Sequence, residues 1–139
     1  KQYFVAPEGL QIDQDVLDQL EEKNVDYEVT SDFEKIIPET DAIYMTRLQD
    51  EWDTEETKGK TDTSKYFLTP EHLQKMKNTA IIMHPLPRRN EIDSRIDADP
   101  RAVYWRQVRN GMWIRVALMA LIFGKIADEI FDFYELNMS

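Results

Sequence analysis

Thr79-Ala80-Ile81-Ile82-Met83-His84-Pro85-Leu86-Pro87-Arg88 carries the clearest structural message in this chain. The apolar run up to Met83 reads as a buried strand. Two prolines two residues apart then force a rigid, extended turn where that strand hands over to a loop. Such a turn fixes backbone carbonyls and holds Leu86 in one orientation, which suits a small-molecule site. A strand this short and this apolar belongs to a parallel sheet covered on both faces, and the rest of the chain agrees.

Working outward, short apolar runs alternate with helical patterns, as they do in a parallel sheet flanked by helices. Tyr3 to Ala6 reads as a buried strand ended by Pro7-Glu8-Gly9. Asp13 to Lys23 reads as a helix with Val16, Leu17 and Leu20 on one face. Tyr27 to Thr30 is a second strand, and Ser31-Asp32 caps a short helix through Ile37, stopped before Pro38. Ala42 to Met45 is a third strand, running into Thr46-Arg47-Leu48-Gln49. Asp50 to Ser64 is polar, acidic and without periodicity, a loop long enough to be functional or disordered. Thr69-Pro70 starts a helix to about Lys77, and Ala80 to Met83 is the fourth strand. Pro100 opens a long C-terminal helical segment to about Phe123, which Asn110-Gly111 is expected to break or kink. Ile126 to Leu136 reads as a further short amphipathic helix. The fold class is therefore α/β: a parallel sheet of about four strands, flanking helices and a long C-terminal helical segment.

Composition narrows the function. With 139 residues the chain has room for one domain with a real core. A formal charge of −10 argues against nucleic acid or an anionic membrane as partner. No run approaches the roughly 20 apolar residues of a spanning helix. Gln2-Tyr3-Phe4-Val5-Ala6 reads as fold and not as a charged leader. The absence of cysteine rules out disulfides and fits the cytoplasm. Seven of the eight arginines lie between His84 and Arg115, beside only Glu91, Asp93, Asp97 and Asp99. An acidic chain that gathers its guanidinium groups in this way is built to bind an anion there, or to pair those groups with the acids nearby.

In open α/β sheets ligands gather outside the carboxyl ends of the strands. Two strands end distinctively, one in Thr46-Arg47-Leu48-Gln49 and one in His84-Pro85-Leu86-Pro87-Arg88. If they are neighbours, Arg47, Gln49, the Leu86 carbonyl and Arg88 share one crevice. An arginine fork with an amide suits a carboxylate, and a rigid carbonyl suits an amine or amide N–H. Together they describe an amino-acid site. Arg88 serves that site or pairs with Glu91. Trp105, Trp113 and Tyr104, at helical spacing, read as core or interdomain packing. The acids of Asp50 to Asp62 match no metal-ligand spacing, so no metal is expected.

These segments carry a family resemblance. Tyr44-Met45-Thr46-Arg47-Leu48-Gln49 and Met83-His84-Pro85-Leu86-Pro87-Arg88 are similar to two signature segments of the carbamoyltransferases, in particular the aspartate branch. Asp99 to Gln107, followed by Asn110-Gly111-Met112, resembles that family's C-terminal helix. Tyr3 to Leu10 resembles a strand and turn of its aspartate-binding domain. Pro85 stands where the ornithine branch carries cysteine. The resemblance covers residues 1–124 and leaves 125–139 as an extension.

It implies transfer of a carbamoyl group from carbamoyl phosphate to the amine of L-aspartate, in pyrimidine synthesis, by positioning and fixed electrostatics without a cofactor. It implies that Arg47 clamps an aspartate carboxylate with support from Gln49. It also implies that Pro85 and the Leu86 carbonyl orient the carbamoyl amide and the attacking amine, with Thr46 and Arg88 beside them. No residue of this chain takes a catalytic role in that scheme. The family's carbamoyl phosphate groups come from an N-terminal domain with a Ser-Thr-Arg-Thr loop, which nothing here matches, and the first strand and helix of the aspartate domain are missing as well. The expected partners are thus L-aspartate, carbamoyl phosphate, the N-terminal domain and further copies of the chain, a trimer in the family. Asp50-Glu51-Trp52 departs from the family's basic Lys-Glu-Arg and leaves another amine acceptor open. A non-catalytic interaction module of the same fold is the other alternative.

Overall fold

The computed structural model describes residues 1–47 and 64–125. Within them two β-α-β units stand side by side. In the first, β1 (Gln2–Val5) is followed by α1 (Gln14–Glu22) and by β2 (Tyr27–Thr30), which pairs with β1 in parallel, Gln2 opposite Tyr27. A short helix α2 (Phe33–Ile36) leads to the second unit, its Lys35 amide bonded 3.1 Å from the Asp32 carboxylate that caps it. There β3 (Ala42–Tyr44), α3 (Pro70–Lys75) and β4 (Ile81–Met83) follow in order, with β3 and β4 parallel and Tyr44 opposite Met83. A single helix α4 (Tyr104–Ile122) closes the described chain.

The parallel α/β class holds, but the expected single sheet does not. Among the described residues the four strands form two separate pairs, β1–β2 and β3–β4. The edges of β1 and β3 line a cavity of about 970 Å³. No backbone hydrogen bond crosses between them, and the Tyr3 hydroxyl, donating to Glu39 Oε2 at 2.7 Å, ties the two units by side chain alone. Apolar periodicity identifies strands but says nothing about which edges meet.

The core belongs to the second unit. Ile37, Leu68, Ile82, Ile92, Ile96 and Tyr104 are fully buried, while the first unit contributes only the half-buried Tyr3 and Val5. β4 is the central strand of that core. One edge pairs with β3, and on the other Ile82 N donates to Arg101 O at 2.7 Å while Val103 N donates to Ile82 O at 2.9 Å. A second bridge, Leu68 N to Glu91 O at 2.8 Å and Asp93 N to Leu68 O at 3.0 Å, pins the segment after the proline turn. Both ends of the turn are thus anchored in the best-packed part of the molecule.

Three other expectations need adjusting. Residues 100–103 are not helical, because Arg101 O and Val103 N are spent on Ile82; the helix starts at Tyr104. It runs through Asn110-Gly111 without a break. Gly111 takes ordinary helical backbone and the Arg115 guanidinium lies over it, 3.3 Å from where a Cβ would stand. A glycine costs about 1 kcal/mol in a helix interior, too little by itself to end a helix of nineteen residues. Tyr104 is fully buried, as core packing requires, whereas Trp105 is 52% exposed and so is not core, which leaves the interdomain alternative for it. All but Ser64 of the stretch from Asp50 to Ser64 that the sequence reads as a loop lies outside the described residues, as do residues 126–139 with their expected short helix.

Candidate functional site

The two distinctive strand ends are neighbours. Because β3 and β4 run parallel with Tyr44 opposite Met83, and Met45 N donates to Met83 O at 3.0 Å, Thr46-Arg47 and His84-Pro85-Leu86 leave the sheet side by side at its carboxyl edge. Thr46 is exposed and Arg47 half-buried. Gln49 lies outside the described residues. The shared crevice divides in two: Arg47 lines the cavity between β1 and β3, whereas Pro85, Leu86 and Arg88 line a groove against α4, with Tyr44 touching both. Arg106 and Arg115 of α4 line that groove too, so positive charge stands on the helix side of the turn.

The turn itself is held by hydrogen bonds that the two prolines cannot supply. His84, 1% exposed, donates its backbone N–H to Gln107 Oε1 at 3.0 Å, and Gln107 Nε2 donates to the Tyr44 hydroxyl at 3.1 Å. One amide of α4 thereby links the ends of β3 and β4. The His84 ring uses both nitrogens: Nδ1 accepts from Leu86 N at 2.8 Å, and Nε2 stands 2.7 Å from Glu91 Oε1. Glu91 in turn accepts the Arg89 amide on both oxygens, at 3.0 and 3.1 Å. Burial pushes the Glu91 carboxyl up, but the Glu91 and Arg89 amides and the His84 ring outweigh it and hold the group below the ordinary glutamate value. Leu86 sits at φ +50° and is followed by a cis peptide to Pro87. For leucine that left-handed backbone costs about 1–2 kcal/mol. Its neighbours must therefore impose it.

Arg88 is bound on every side. Its Nη2 donates to Asp97 Oδ2 at 2.6 Å and its Nη1 to Asp97 Oδ1 and to the Tyr104 hydroxyl, the last at 3.1 Å. The guanidinium centre lies 5.5 Å from the Tyr104 ring and 5.7 Å from the Trp105 ring. The Arg88 guanidinium holds the Asp97 carboxyl below its usual range, and burial followed by the Asp97 carboxylate pushes Tyr104 up to about 12. Sequence reasoning offered Glu91 as the structural partner of Arg88; Asp97 takes that place, and Glu91 belongs to His84. Arg95 and Arg101 likewise pair with Asp93 and Asp99. Three of the clustered arginines are therefore neutralised locally.

Gln107, the His84–Glu91 pair and the Asp97–Tyr104 cradle were not legible as site support. The only sequence signal was an acid seven residues beyond a histidine across a two-proline turn. His72, at the start of α3, accepts the Thr69 amide on Nδ1 at 3.0 Å and meets Glu34 Oε1 with Nε2 at 2.7 Å, a capping arrangement with no access to the turn. Among the described residues no group of three or more His, Cys, Asp or Glu is placed to hold a metal. The strand ends thus offer guanidinium groups and an oriented carbonyl, donors for carboxylates and an acceptor for N–H.

Comparison with known proteins places this arrangement. Residues 1–122 match the Asp/Orn binding domain of the aspartate/ornithine carbamoyltransferases. The aspartate carbamoyltransferase catalytic subunit of Vibrio cholerae is 42% identical over 123 residues, covering 88% of this chain and 40% of that protein. The multifunctional protein pyr1-3 of Dictyostelium discoideum is 39% identical over 122 residues, covering 87% of this chain and 5% of that protein. The crystal structure of Trypanosoma cruzi aspartate transcarbamoylase in complex with carbamoyl phosphate and aspartate superposes with a TM-score of 0.73 at 35% identity, over 86% of this chain and 40% of that one. The chain thus spans two fifths or less of the relatives it matches. With that match running from the first strand to the end of α4, the chain belongs to the aspartate/ornithine carbamoyltransferase family, whose Asp/Orn binding domain it carries.

Proposed function

We propose that this chain forms the aspartate-binding part of an enzyme that transfers a carbamoyl group from carbamoyl phosphate to the amine of L-aspartate. The observation that carries the reading is the parallel pairing of β3 and β4, which brings Thr46-Arg47 beside His84-Pro85-Leu86 at one sheet edge. In this scheme Arg47 holds an aspartate carboxylate, supported by Gln49 and Thr46. Pro85 and the Leu86 carbonyl orient the carbamoyl amide and the incoming amine. Arg88 acts on the turn from its Asp97 and Tyr104 cradle. Attack of a neutral amine on a carbonyl held nearby needs little beyond orientation and charge placement.

The phosphate-binding groups, and the strand that would fill the cavity between β1 and β3, come from the part of the polypeptide that the relatives have and this chain does not span. The active form is a homo-oligomer. The relative crystallised with both carbamoyl phosphate and aspartate supports this choice of substrates. The test is aspartate binding by the full-length enzyme in the presence of carbamoyl phosphate or its unreactive analogue. Loss of a charge-assisted carboxylate contact in Arg47→Ala should weaken binding about 30-fold or more, equivalent to about 2 kcal/mol. Unchanged aspartate affinity would remove Arg47 from the site. Faster turnover with ornithine or putrescine than with aspartate would replace the acceptor.

A further inference from the structure

We propose that His84, fixed by Glu91, is a positioning residue that sets the left-handed backbone of Leu86 and so aims the Leu86 carbonyl at the substrate. The inference rests on the aspartate-site reading above and deepens it.

The hydrogen bonds leave one arrangement of the ring. Leu86 N–H donates to Nδ1 at 2.8 Å, so Nδ1 must present its lone pair. The ring proton then sits on Nε2, where Glu91 Oε1 accepts it at 2.7 Å. Glu91 is held in turn by the Arg89 amide on both of its oxygens. The contacts thus run from a backbone N–H through a carboxylate and an imidazole to the backbone N–H of Leu86. His84 and Glu91 are 1% and 8% exposed, so water does not replace either bond readily. Turning the ring over would set carbon atoms against both partners.

Packing alone gives no reason for this geometry. A leucine avoids positive φ, yet Leu86 adopts it, at φ +50°. Its own N–H, taken up by the ring one residue beyond its neighbour, is the group that a relaxed, extended turn would release. On the other side of His84 the Gln107 amide oxygen fixes the His84 N–H, so rotation about residues 84–86 is checked at both ends. A carbonyl that must meet an amine and an amide needs such restraint, because misplacement by about 1 Å costs on the order of 100-fold in rate.

The experiment compares the full-length enzyme carrying this domain as wild type, His84→Asn and His84→Gln. The Asn amide oxygen can stand where Nδ1 does and accept from Leu86, while losing Glu91. The Gln amide nitrogen can reach the Nε2 position and meet Glu91, while leaving the Leu86 N–H without an acceptor. Each variant gives up one hydrogen bond, so a purely structural role lowers both thermal midpoints and both rates together. A positioning role separates them: kcat falls about tenfold or more in His84→Gln and stays within about threefold in His84→Asn, with KM for carbamoyl phosphate little changed. Equal loss of kcat in the two variants would overturn the proposal.

Nitrogen-15 spectra of the wild-type ring provide an arm that needs no substrate. They should show the proton on Nε2, and a proton on Nδ1 would overturn the arrangement. If the wild type prefers another acceptor, the aspartate reading fails, and the Asn–Gln contrast measured with that acceptor still decides the role of His84.

Discussion

Replacing Arg88 with methionine keeps an unbranched, though shorter, apolar stem and removes the charge, and the structure sets the size of the effect. The guanidinium side chain is 15% exposed and its partner Asp97 is 34% exposed. Breaking a fully buried pair costs about 3–5 kcal/mol, and breaking an exposed one about 0–1 kcal/mol. With the cation buried and the anion partly solvated, the pair falls between these limits, at about 2–3 kcal/mol. Two further losses point the same way: the Tyr104 hydroxyl loses a donor at 3.1 Å, and two ring faces lose a cation within 6 Å. Urea unfolding of the full-length enzyme, followed by tryptophan fluorescence, reads the change directly because Trp105 lies against the guanidinium. Asp97→Asn and the double variant complete a cycle, whose coupling should reach at least about 1 kcal/mol.

The pH dependence has a definite sign. Arg88 depresses the Asp97 carboxyl in the folded state, below an unfolded value of 3.8. The stabilisation is therefore fully present above pH 3.8 and is lost as pH falls through the lower, folded value. The gap between wild type and Arg88→Met should be constant from pH 5 to 7 and should shrink in acid. A destabilisation below about 0.5 kcal/mol at neutral pH, the range of ordinary surface substitutions, would refute the cradle. So would a gap that widens in acid.

Two further outcomes follow from the same region. Ile82→Ala removes a fully buried side chain from the strand that pairs on both edges, and should cost about 2–5 kcal/mol in the same unfolding assay; a loss under about 1 kcal/mol would mean that this core is loosely packed. Tyr104, raised to about 12 by burial and by Asp97, keeps its proton in the folded state after the unfolded chain has lost it near 10. Its contribution is complete below pH 10 and declines as pH rises toward 12, so Tyr104→Phe should flatten the alkaline fall in stability. Phenolate absorbance should show that the variant lacks one of the late-titrating tyrosines of the wild type.

The strands, their parallel sense and the two site-bearing turns were legible in the sequence because each rests on local chemistry. Short apolar runs that end in Thr-Arg-Leu-Gln or in His-Pro-Leu-Pro mark a strand and its end by local chemistry. Edge pairing was not legible, because β1 and β3 look alike whether or not they touch. The start of α4 was misplaced for a related reason: Asp99-Pro100 reads as a helix start, but the chain there is already committed to Ile82 by backbone bonds from Arg101 and Val103. A local signal yields when a long-range partner takes the same backbone groups.

The supporting residues follow a different logic, and it bears on how the site works. Arg47 and Leu86 stand out in the sequence because an arginine at a strand end and a leucine between two prolines depart from what a turn alone requires. Glu91, Gln107 and Asp97 could not, since each is an ordinary residue whose meaning comes only from its partner. All three hold the proline turn from outside: Glu91 through the His84 ring, Gln107 through the His84 amide, and Asp97 through Arg88. Prolines restrict φ but donate nothing, so a turn containing two of them has few backbone groups with which to hold itself. Side chains from the following segment and from α4 take over that task. The unfavourable backbone at Leu86 is stable only while they do. A carbonyl aimed in this way is as rigid as the core behind it, which is why a substitution at Ile82 or Arg88, neither of which need touch aspartate, should also be felt at the site.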